Sequence, residues 1–305
     1  MAKTFTIGID LGGTNLKIAL FNKNLRCINR HILSTTALGN KDALIAAIIG
    51  SVRAILARNR ISREQVVGVG MGLPGPIDVE KGVVHFFPNI PGWKDVALER
   101  ILEKALQLPV RIDNDANVMA LAEFKRGAAR GSRNAVCITL GTGVGGGLII
   151  DGALYRGSGF AAGEIGHMPV NEEGPDCNCG GSGCLEAYVG NKRILSRARR
   201  VFKRQISLEE LSRRAQRGDR KAIALWSEVG LKLGVALTGV VNLLNPDCIV
   251  IGGGVANAGK ILFDTIKETI YIRAMIVQAK QVKVVKAKLG NEAGMIGAAL
   301  LFERG

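Results

Sequence analysis

The stretch Val136-Cys137-Ile138-Thr139-Leu140-Gly141-Thr142-Gly143-Val144-Gly145-Gly146-Gly147-Leu148-Ile149-Ile150 reads as an apolar strand, a turn and a second apolar strand. Five of the seven residues from Gly141 to Gly147 are glycine. Glycine has no Cβ and tolerates positive φ, so such a turn lets a ligand approach bare backbone N–H groups, which suit phosphate oxygens. Two or three glycines suffice to tighten a hairpin, and the surplus points to a ligand. The pattern occurs twice. In Ile7-Gly8-Ile9-Asp10-Leu11-Gly12-Gly13-Thr14-Asn15-Leu16-Lys17-Ile18-Ala19-Leu20, setting Ile9 on Ile138 places Leu11-Gly12 on Leu140-Gly141. Such an internal echo predicts two similar halves, each offering one glycine hairpin to a shared ligand. Asp10 stands where the second copy has Thr139. A carboxylate beside a phosphate cradle repels it unless a cation intervenes, so Asp10 predicts Mg²⁺. Lys17 reads either as an outward strand lysine or as a phosphate contact.

The 305 residues leave room for two domains and a sizeable core. With 47% hydrophobic and 22% charged residues, the composition is that of a soluble globular protein. The most apolar stretch, Gly234 to Leu244, is short and broken by Thr238 and Asn242, so no membrane span is expected. The N-terminus passes from Lys3 straight into a strand without a signal-peptide core, and the expected location is the cytoplasm. Of the formal charge of +15, much is local: 12 Lys and Arg stand against three acids between Lys192 and Lys221. These cations interleave with Ile194, Leu195, Ala198, Val201 and Phe202 at helical spacing, the solvated face of an amphipathic helix. No recognition motif or aromatic platform accompanies them, so nucleic-acid binding is not expected, although the field could draw in anionic substrates.

Strands alternating with helices imply an α/β fold. A helix is expected around Lys41–Arg58, a strand over Val66–Gly72 and a helix near Val96–Leu106. A strand Val110–Ile112 leads through Asp113-Asn114-Asp115-Ala116-Asn117 into the helical run Val118–Arg126. Gly157 to Leu185 is loop-like and rich in metal-capable residues. A long helix from about Lys221 carries Gly230, Gly234 and Gly239 as if another element packs closely, and Asn245-Pro246 stops it. The strand Cys248–Ile251 runs into Gly252-Gly253-Gly254-Val255, a turn that either faces a ligand or is merely flexible. A helix to about Tyr271, a strand near Val282–Leu289 and a last helix over Glu292–Phe302 complete the chain.

Cys177, Cys179 and Cys184 are spaced C-x-C-x₄-C, and His167 precedes them by ten residues. Three thiolates and an imidazole make a closed tetrahedral Zn²⁺ site of structural type. Cys27, Cys137 and Cys248 sit singly and read as structural. Asp115 ends a strand and opens a helix, where side chains commonly face a cleft, so it is a candidate general base. It reads equally as a helix N-cap. Asp113 is the second choice. Glu164 and Glu186 flank the cysteines and, with Asn114 and His167, offer donors and acceptors to a polyhydroxy ligand or to solvent.

Asp10-Leu11-Gly12-Gly13-Thr14, the Leu140–Leu148 hairpin, Gly163-Glu164-Ile165-Gly166-His167 and the cysteine cluster together resemble the ROK family, in the same order and over essentially the whole chain. That family comprises sugar kinases and sugar-responsive repressors. The resemblance implies the actin/hexokinase-like ATPase fold, an α/β architecture of duplicated ribonuclease H-like domains with an inserted zinc-binding loop. The implied domains are 1–115 plus 293–305, closed by the C-terminal helix, and 116–292.

By the same resemblance Asp115 is the catalytic base, and Asn114, Asp115, Glu164, His167 and Glu186 bind sugar. His167 also binds zinc with Cys177, Cys179 and Cys184. Gly12, Gly13, Thr14, Gly141, Thr142, Gly143, Gly145 and Gly146 match the phosphate loops, and Gly253 and Gly254 the nucleotide segment. Asn89-Ile90-Pro91-Gly92-Trp93 resembles the sugar loop of the family's glucokinases, which makes Asn89 a substrate contact and glucose the expected substrate. N-acetylmannosamine, N-acetylglucosamine and fructose kinases share the same catalytic residues, and a non-catalytic sugar sensor is the alternative of another class. Repressor members carry a helix-turn-helix domain before the first hairpin, whereas nine residues precede Asp10 here. The implied ligands are ATP, Mg²⁺, Zn²⁺ and a hexose, and the implied assembly is a homo-oligomer, dimer or tetramer.

Overall fold

The N-terminal hairpin supplies two of the five strands of the first sheet. In the computed structural model, which describes residues 3–35, 38–87 and 92–303, β1 (Phe5–Leu11) and β2 (Asn15–Asn22) pair antiparallel, with Leu11 opposite Leu16 and Asp10 opposite Lys17. β3 (Cys27–Ser34) adds to the outside of β2. α1 (Lys41–Arg58) begins where Asn40 accepts a bond from the Ala43 N–H at 2.9 Å. It buries Leu44, Ile45, Ile48, Val52 and Ile55, the stripe that its 3.6-residue period predicts. β4 (Val66–Leu73) runs parallel to β1. β5 (Ile77–Asp78), β6 (Val83–Phe86) and β7 (Lys94–Val96) form a small antiparallel sheet too short for periodicity to reveal. α2 (Leu98–Leu106) leads to β8 (Val110–Asn114), and α3 (Asp115–Arg126) follows without a break. The resulting strand order is β3-β2-β1-β4-β8.

The chain divides into two compact units. One comprises Met1–Ala122, Ala153–Ala162 and Asn291–Gly305; the other comprises Glu123–Gly152 and Gly163–Gly290. In the second unit β9 (Ala135–Leu140) and β10 (Val144–Ile150) repeat the glycine hairpin, with Leu140 opposite Val144, so this turn is one residue shorter than the first. β11 (Ala153–Tyr155) returns to the first unit. The cysteine-bearing loop that follows holds a single 3₁₀ turn, Ile165–His167, and the isolated bridges Pro169–Cys184 and Asp176–Ser182. Then come α4 (Glu186–Val189), α5 (Asn191–Phe202), α6 (Leu208–Gln216) and α7 (Arg220–Leu244). β12 (Cys248–Gly253) lies parallel to β9, and α8 (Lys260–Arg273) and α9 (Ile276–Gln281) lead to β13 (Lys283–Lys286) on its other side.

The basic segment is the surface of α5 and α6, anchored by the buried Ile194, Ala198 and Leu211 and laced with ion pairs such as Arg214–Asp219 at 3.2 Å. α7 departs from expectation, because by length and composition it could cross a membrane. Its polar interruption is absorbed internally: the Thr238 hydroxyl donates to the Gly234 carbonyl at 2.8 Å. Leu225, Trp226, Val229, Leu233, Leu237 and Val241 are buried, the pattern of a core helix. A Cβ on Gly230 or Gly234 would lie 2.8 or 2.4 Å from Thr265 or Thr269 of α8, so these two glycines set the close approach of the helices. Gly239 touches only Met168, at an ordinary 3.7 Å.

β13 stops short of the Leu289 expected for it. The N–H groups of Lys288 and Leu289 turn instead to the Glu123 carboxylate, at 3.1 and 2.8 Å. Glu123 is fully buried and also accepts from Ala128 N at 2.7 Å. Removing it strands three donors, each costing about 1–3 kcal/mol when unsatisfied. Glu123→Ala is therefore expected to lower stability by at least ~3 kcal/mol, read as a fall in urea midpoint. Glu123→Gln, which keeps one acceptor oxygen, should lose less, and equal losses would contradict this account.

α10 (Ala293–Leu300) belongs to the first unit and packs on β1 and β4. A Cβ on Gly8 would stand 1.9 Å from the Met295 carbonyl oxygen, and one on Gly70 1.8 Å from that of Ala298. The helix backbone thus rests on the sheet itself, and Gly297 meets α3 at the Val118 carbonyl in the same way.

Candidate active site and metal centre

β8 delivers Asp113 and Asn114 to the start of α3, and Asp115 is the first residue of that helix. Asp113 is buried and engaged on both oxygens. Arg156 donates to Oδ2 through Nε at 2.8 Å and through its terminal nitrogen at 2.7 Å, and Oδ1 accepts from Asn114 N and Asn117 Nδ2. A carboxylate so occupied is structural. Asp115 is half-buried, and its Oδ1 accepts the Ala116 N–H at 2.8 Å. Asn114 Oδ1 shares that N–H at 2.9 Å. The capping role and an additional chemical role are therefore compatible.

Asp10 faces Lys17 across the first hairpin, Nζ to Oδ2 at 2.9 Å, with both side chains partly buried. Residues opposite each other in an antiparallel pair share a face, so Lys17 stands beside the carboxylate rather than pointing away from it. In the second hairpin Gly145 is opposite Thr139, and neither charge recurs. Glycines assigned to phosphates and nucleotide divide into two groups. Gly143, Gly146 and Gly253 are required by packing, since an added Cβ would lie 2.6 Å from Glu186 Oε2, 2.3 Å from the Gly163 oxygen and 2.1 Å from the Leu140 oxygen. Gly141 and Gly254 have nothing within 4 Å of that position, and Gly12 has only the Asn15 oxygen at 3.6 Å. Backbone at these three is open to a ligand.

The donor atoms of His167, Cys177, Cys179 and Cys184 all lie within 4.8 Å of one another. Zinc held tetrahedrally by thiolates at about 2.3 Å requires sulfurs about 3.8 Å apart. Cys179 and Cys184 are 3.7 Å apart, and Cys177 Sγ is 3.7 Å from His167 Nδ1, so the cluster fits the metal. The Gly181 amide and the Cys177 thiol bring the Cys179 thiol down to about 7, whereas burial pushes Cys184 up to about 12. With Nδ1 turned to the sulfurs, His167 Nε2 faces the Glu164 carboxylate at 3.9 Å. Glu186 opens α4 and accepts the Val144 N–H of the second hairpin at 2.8 Å through Oε2. Glu186 therefore stands against the Gly141–Gly143 turn, and Glu164 stands beside His167.

Asn89, Ile90 and Pro91 lie outside the described residues. Phe87 and Trp93, which flank them, are buried with ring centroids 5.1 Å apart. Lys17 and Arg156 are the site residues that sequence reasoning misjudged or missed. Hairpin register would have revealed Lys17, whereas nothing local links Arg156 to an aspartate 43 residues away.

A family model described as ROK family matches residues 6–304. Over 319 aligned residues the chain is 34% identical to the glucokinase of Halalkalibacterium halodurans, covering 100% of this chain and 96% of that one. The ROK hexokinase structure from Thermus thermophilus is 34% identical, with TM-score 0.84 and 97% of each chain covered. A ROK family glucokinase from Streptomyces griseus, solved in complex with glucose and AMPPNP, is 30% identical, with TM-score 0.83 over 97% of this chain and 98% of its own.

Proposed function

The chain belongs to the ROK family, and on that premise we propose that it is an ATP-dependent hexose kinase that converts glucose to glucose 6-phosphate. Its sheets are those of the actin/hexokinase-like ATPase fold. The observation that supports the catalytic assignment is position: Asp115 is half-buried at the opening of α3, next to Asp113, which Arg156, Asn114 and Asn117 hold in a structural role.

Asp115 accepts the proton of the sugar 6-hydroxyl as that oxygen attacks the γ-phosphorus in line. Phosphoryl transfer depends mainly on positioning and charge stabilisation, so the base is asked for little more than a well-aimed acceptor. Asn89, Asn114, Glu164, His167 and Glu186 hold the sugar hydroxyls. Backbone N–H groups of Gly12–Thr14 and of Gly141–Gly146 take the phosphates, with Gly253–Gly254 along the nucleoside. Mg²⁺ bound with ATP neutralises phosphate charge, and Asp10 is the carboxylate that would hold it; Lys17 balances that carboxylate meanwhile. Zinc on His167, Cys177, Cys179 and Cys184 would supply no acid–base chemistry but would fix the loop that aims His167 Nε2.

Coupled ADP release over glucose, mannose, fructose, N-acetylmannosamine and N-acetylglucosamine tests the reading. Glucose should give the highest kcat/KM. A higher value with another of these sugars would replace the substrate, and absence of turnover in zinc-loaded protein that still binds a sugar would replace the kinase with a sensor.

A further inference from the structure

The residues assigned above to sugar and phosphate bring negative charge and no cationic side chain. Asp10, Asp115, Glu164 and Glu186 are carboxylates, and none of the others is lysine or arginine. A nucleoside triphosphate is itself strongly anionic, and phosphoryl transfer draws on positive charge close to the group in flight, from protein as well as from metal. The second hairpin supplies none, because Gly145 lies opposite Thr139 where the first hairpin has Lys17 opposite Asp10.

Lys17 stands where that charge is wanted. Leu11 and Leu16 close the first hairpin and are fully buried, so strand alternation brings Asp10 and Lys17 out on the opposite face. Within the turn the Gly12 N–H returns to the Asn15 carbonyl at 2.9 Å, which leaves the N–H groups of Gly13 and Thr14 for a phosphate. Only the Leu11–Leu16 pair lies between this turn and the Asp10–Lys17 pair. Of the two charged partners, Asp10 is the fixed one. Its side chain is short and 17% exposed, and a Cβ on Gly294 of α10 would lie 2.5 Å from its carboxyl carbon. Lys17 is the one able to move, on a flexible stem with 26% exposure. Its ammonium carries three donors, and Asp10 is its one acceptor among the described residues. As a stabilising contact alone, a pair with this much access to water contributes little.

We propose that Lys17 is a catalytic residue whose ammonium leaves Asp10 for the terminal phosphate of the nucleotide and neutralises charge on the phosphoryl group as it is transferred. The inference rests on the kinase reading. In that step the sugar 6-oxygen bonds to the γ-phosphorus, and the bond to the β–γ bridging oxygen breaks with its electron pair going to ADP. The hydroxyl proton passes to Asp115, and Lys17 keeps its protons throughout.

Lys17→Met and Lys17→Arg in the full, zinc-loaded chain test this. Lys17→Met should lower kcat for glucose phosphorylation about 10²- to 10³-fold, the loss typical of one preorganised donor to developing charge. In calorimetry it should weaken MgAMP-PNP about 10-fold or more, as expected for a hydrogen bond between charged groups, and leave AMP and glucose affinity unchanged. Lys17→Arg keeps the charge and should restore most of both losses. A lysine that merely braced the hairpin through Asp10 would instead lower the melting temperature and all three affinities together. Wild type gives a second measure, which holds even if Lys17→Met fails to fold: MgAMP-PNP should slow acylation of Lys17, read by peptide mass spectrometry, whereas AMP should not. Full MgAMP-PNP affinity or more than a tenth of wild-type kcat in Lys17→Met would overturn the proposal, as would equal labelling of Lys17 with and without MgAMP-PNP. Wild type that binds MgAMP-PNP but phosphorylates no sugar would remove the kinase reading and the catalytic half of this one. The affinity and labelling differences would then still uphold or refute the phosphate contact.

Discussion

Asp115→Asn will lower kcat for sugar phosphorylation by about 10²- to 10⁴-fold while leaving glucose affinity within a few-fold. Asparagine keeps the oxygen that receives the Ala116 N–H at 2.8 Å, so the start of α3 and the melting temperature should be preserved. What it lacks is a basic oxygen for the 6-hydroxyl proton. The neighbouring substitution separates chemistry from folding. Asp113→Asn leaves the Arg156 guanidinium without its buried carboxylate, and breaking such a pair costs about 3–5 kcal/mol. It should therefore lower stability first and activity as a consequence. Coupled ADP release, glucose calorimetry and thermal melting of both variants check this pair of outcomes. An Asp115→Asn enzyme with more than a tenth of wild-type turnover would remove Asp115 from the mechanism.

Cys184→Ser should cost the protein its zinc and, with it, sugar binding. Cys184 is buried in the cluster, 3.7 Å from Cys179, and its backbone pairs with Pro169 across the loop. Only Leu185 separates it from Glu186, which receives the Val144 N–H, and Cys177 of the cluster lies 3.7 Å from Nδ1 of His167. Loosening the metal therefore frees His167, Glu164 and Glu186 together. Disturbing groups that orient a metal ligand typically costs 10- to 100-fold in affinity or activity, and loss of a direct ligand should exceed that for glucose KM. Metal analysis should find one zinc per wild-type chain and none in the variant. Cys27→Ser, at an exposed position away from the cluster, is the control that should change neither. Full glucose affinity in metal-free protein would refute the role given to the loop.

Both glycine hairpins, the Lys41–Arg58 helix, the strand–helix junction at Asp115 and the four zinc-ligand candidates were legible because each is written in a short window. Periodicity, turn chemistry or metal-ligand spacing suffices to read them. Contacts distant in sequence were not legible. Arg156 reaches Asp113 from a connecting segment, Glu123 satisfies amides 165 and 166 residues ahead, and the glycines of β1 and β4 answer to a helix near the end of the chain. α7 was underestimated for a different reason. A hydroxyl that bonds its own helix, as Thr238 does, no longer counts as polar to its surroundings, although composition still scores it so. The division among the glycines was equally hidden, because the same residue type serves close packing at Gly146 and open backbone at Gly141.

The seating of α10 on Gly8 and Gly70 also sets an order of events during synthesis. Ribosomes add about 5–20 residues per second, so β1 leaves the exit tunnel roughly 15–60 s before the helix that covers it has been made. Every residue of the second unit is translated within that interval, since its last segment ends at Gly290 and α10 starts at Ala293. The unit that begins first is thus finished last, and through the wait an apolar sheet face stays available to chaperones or to other nascent chains.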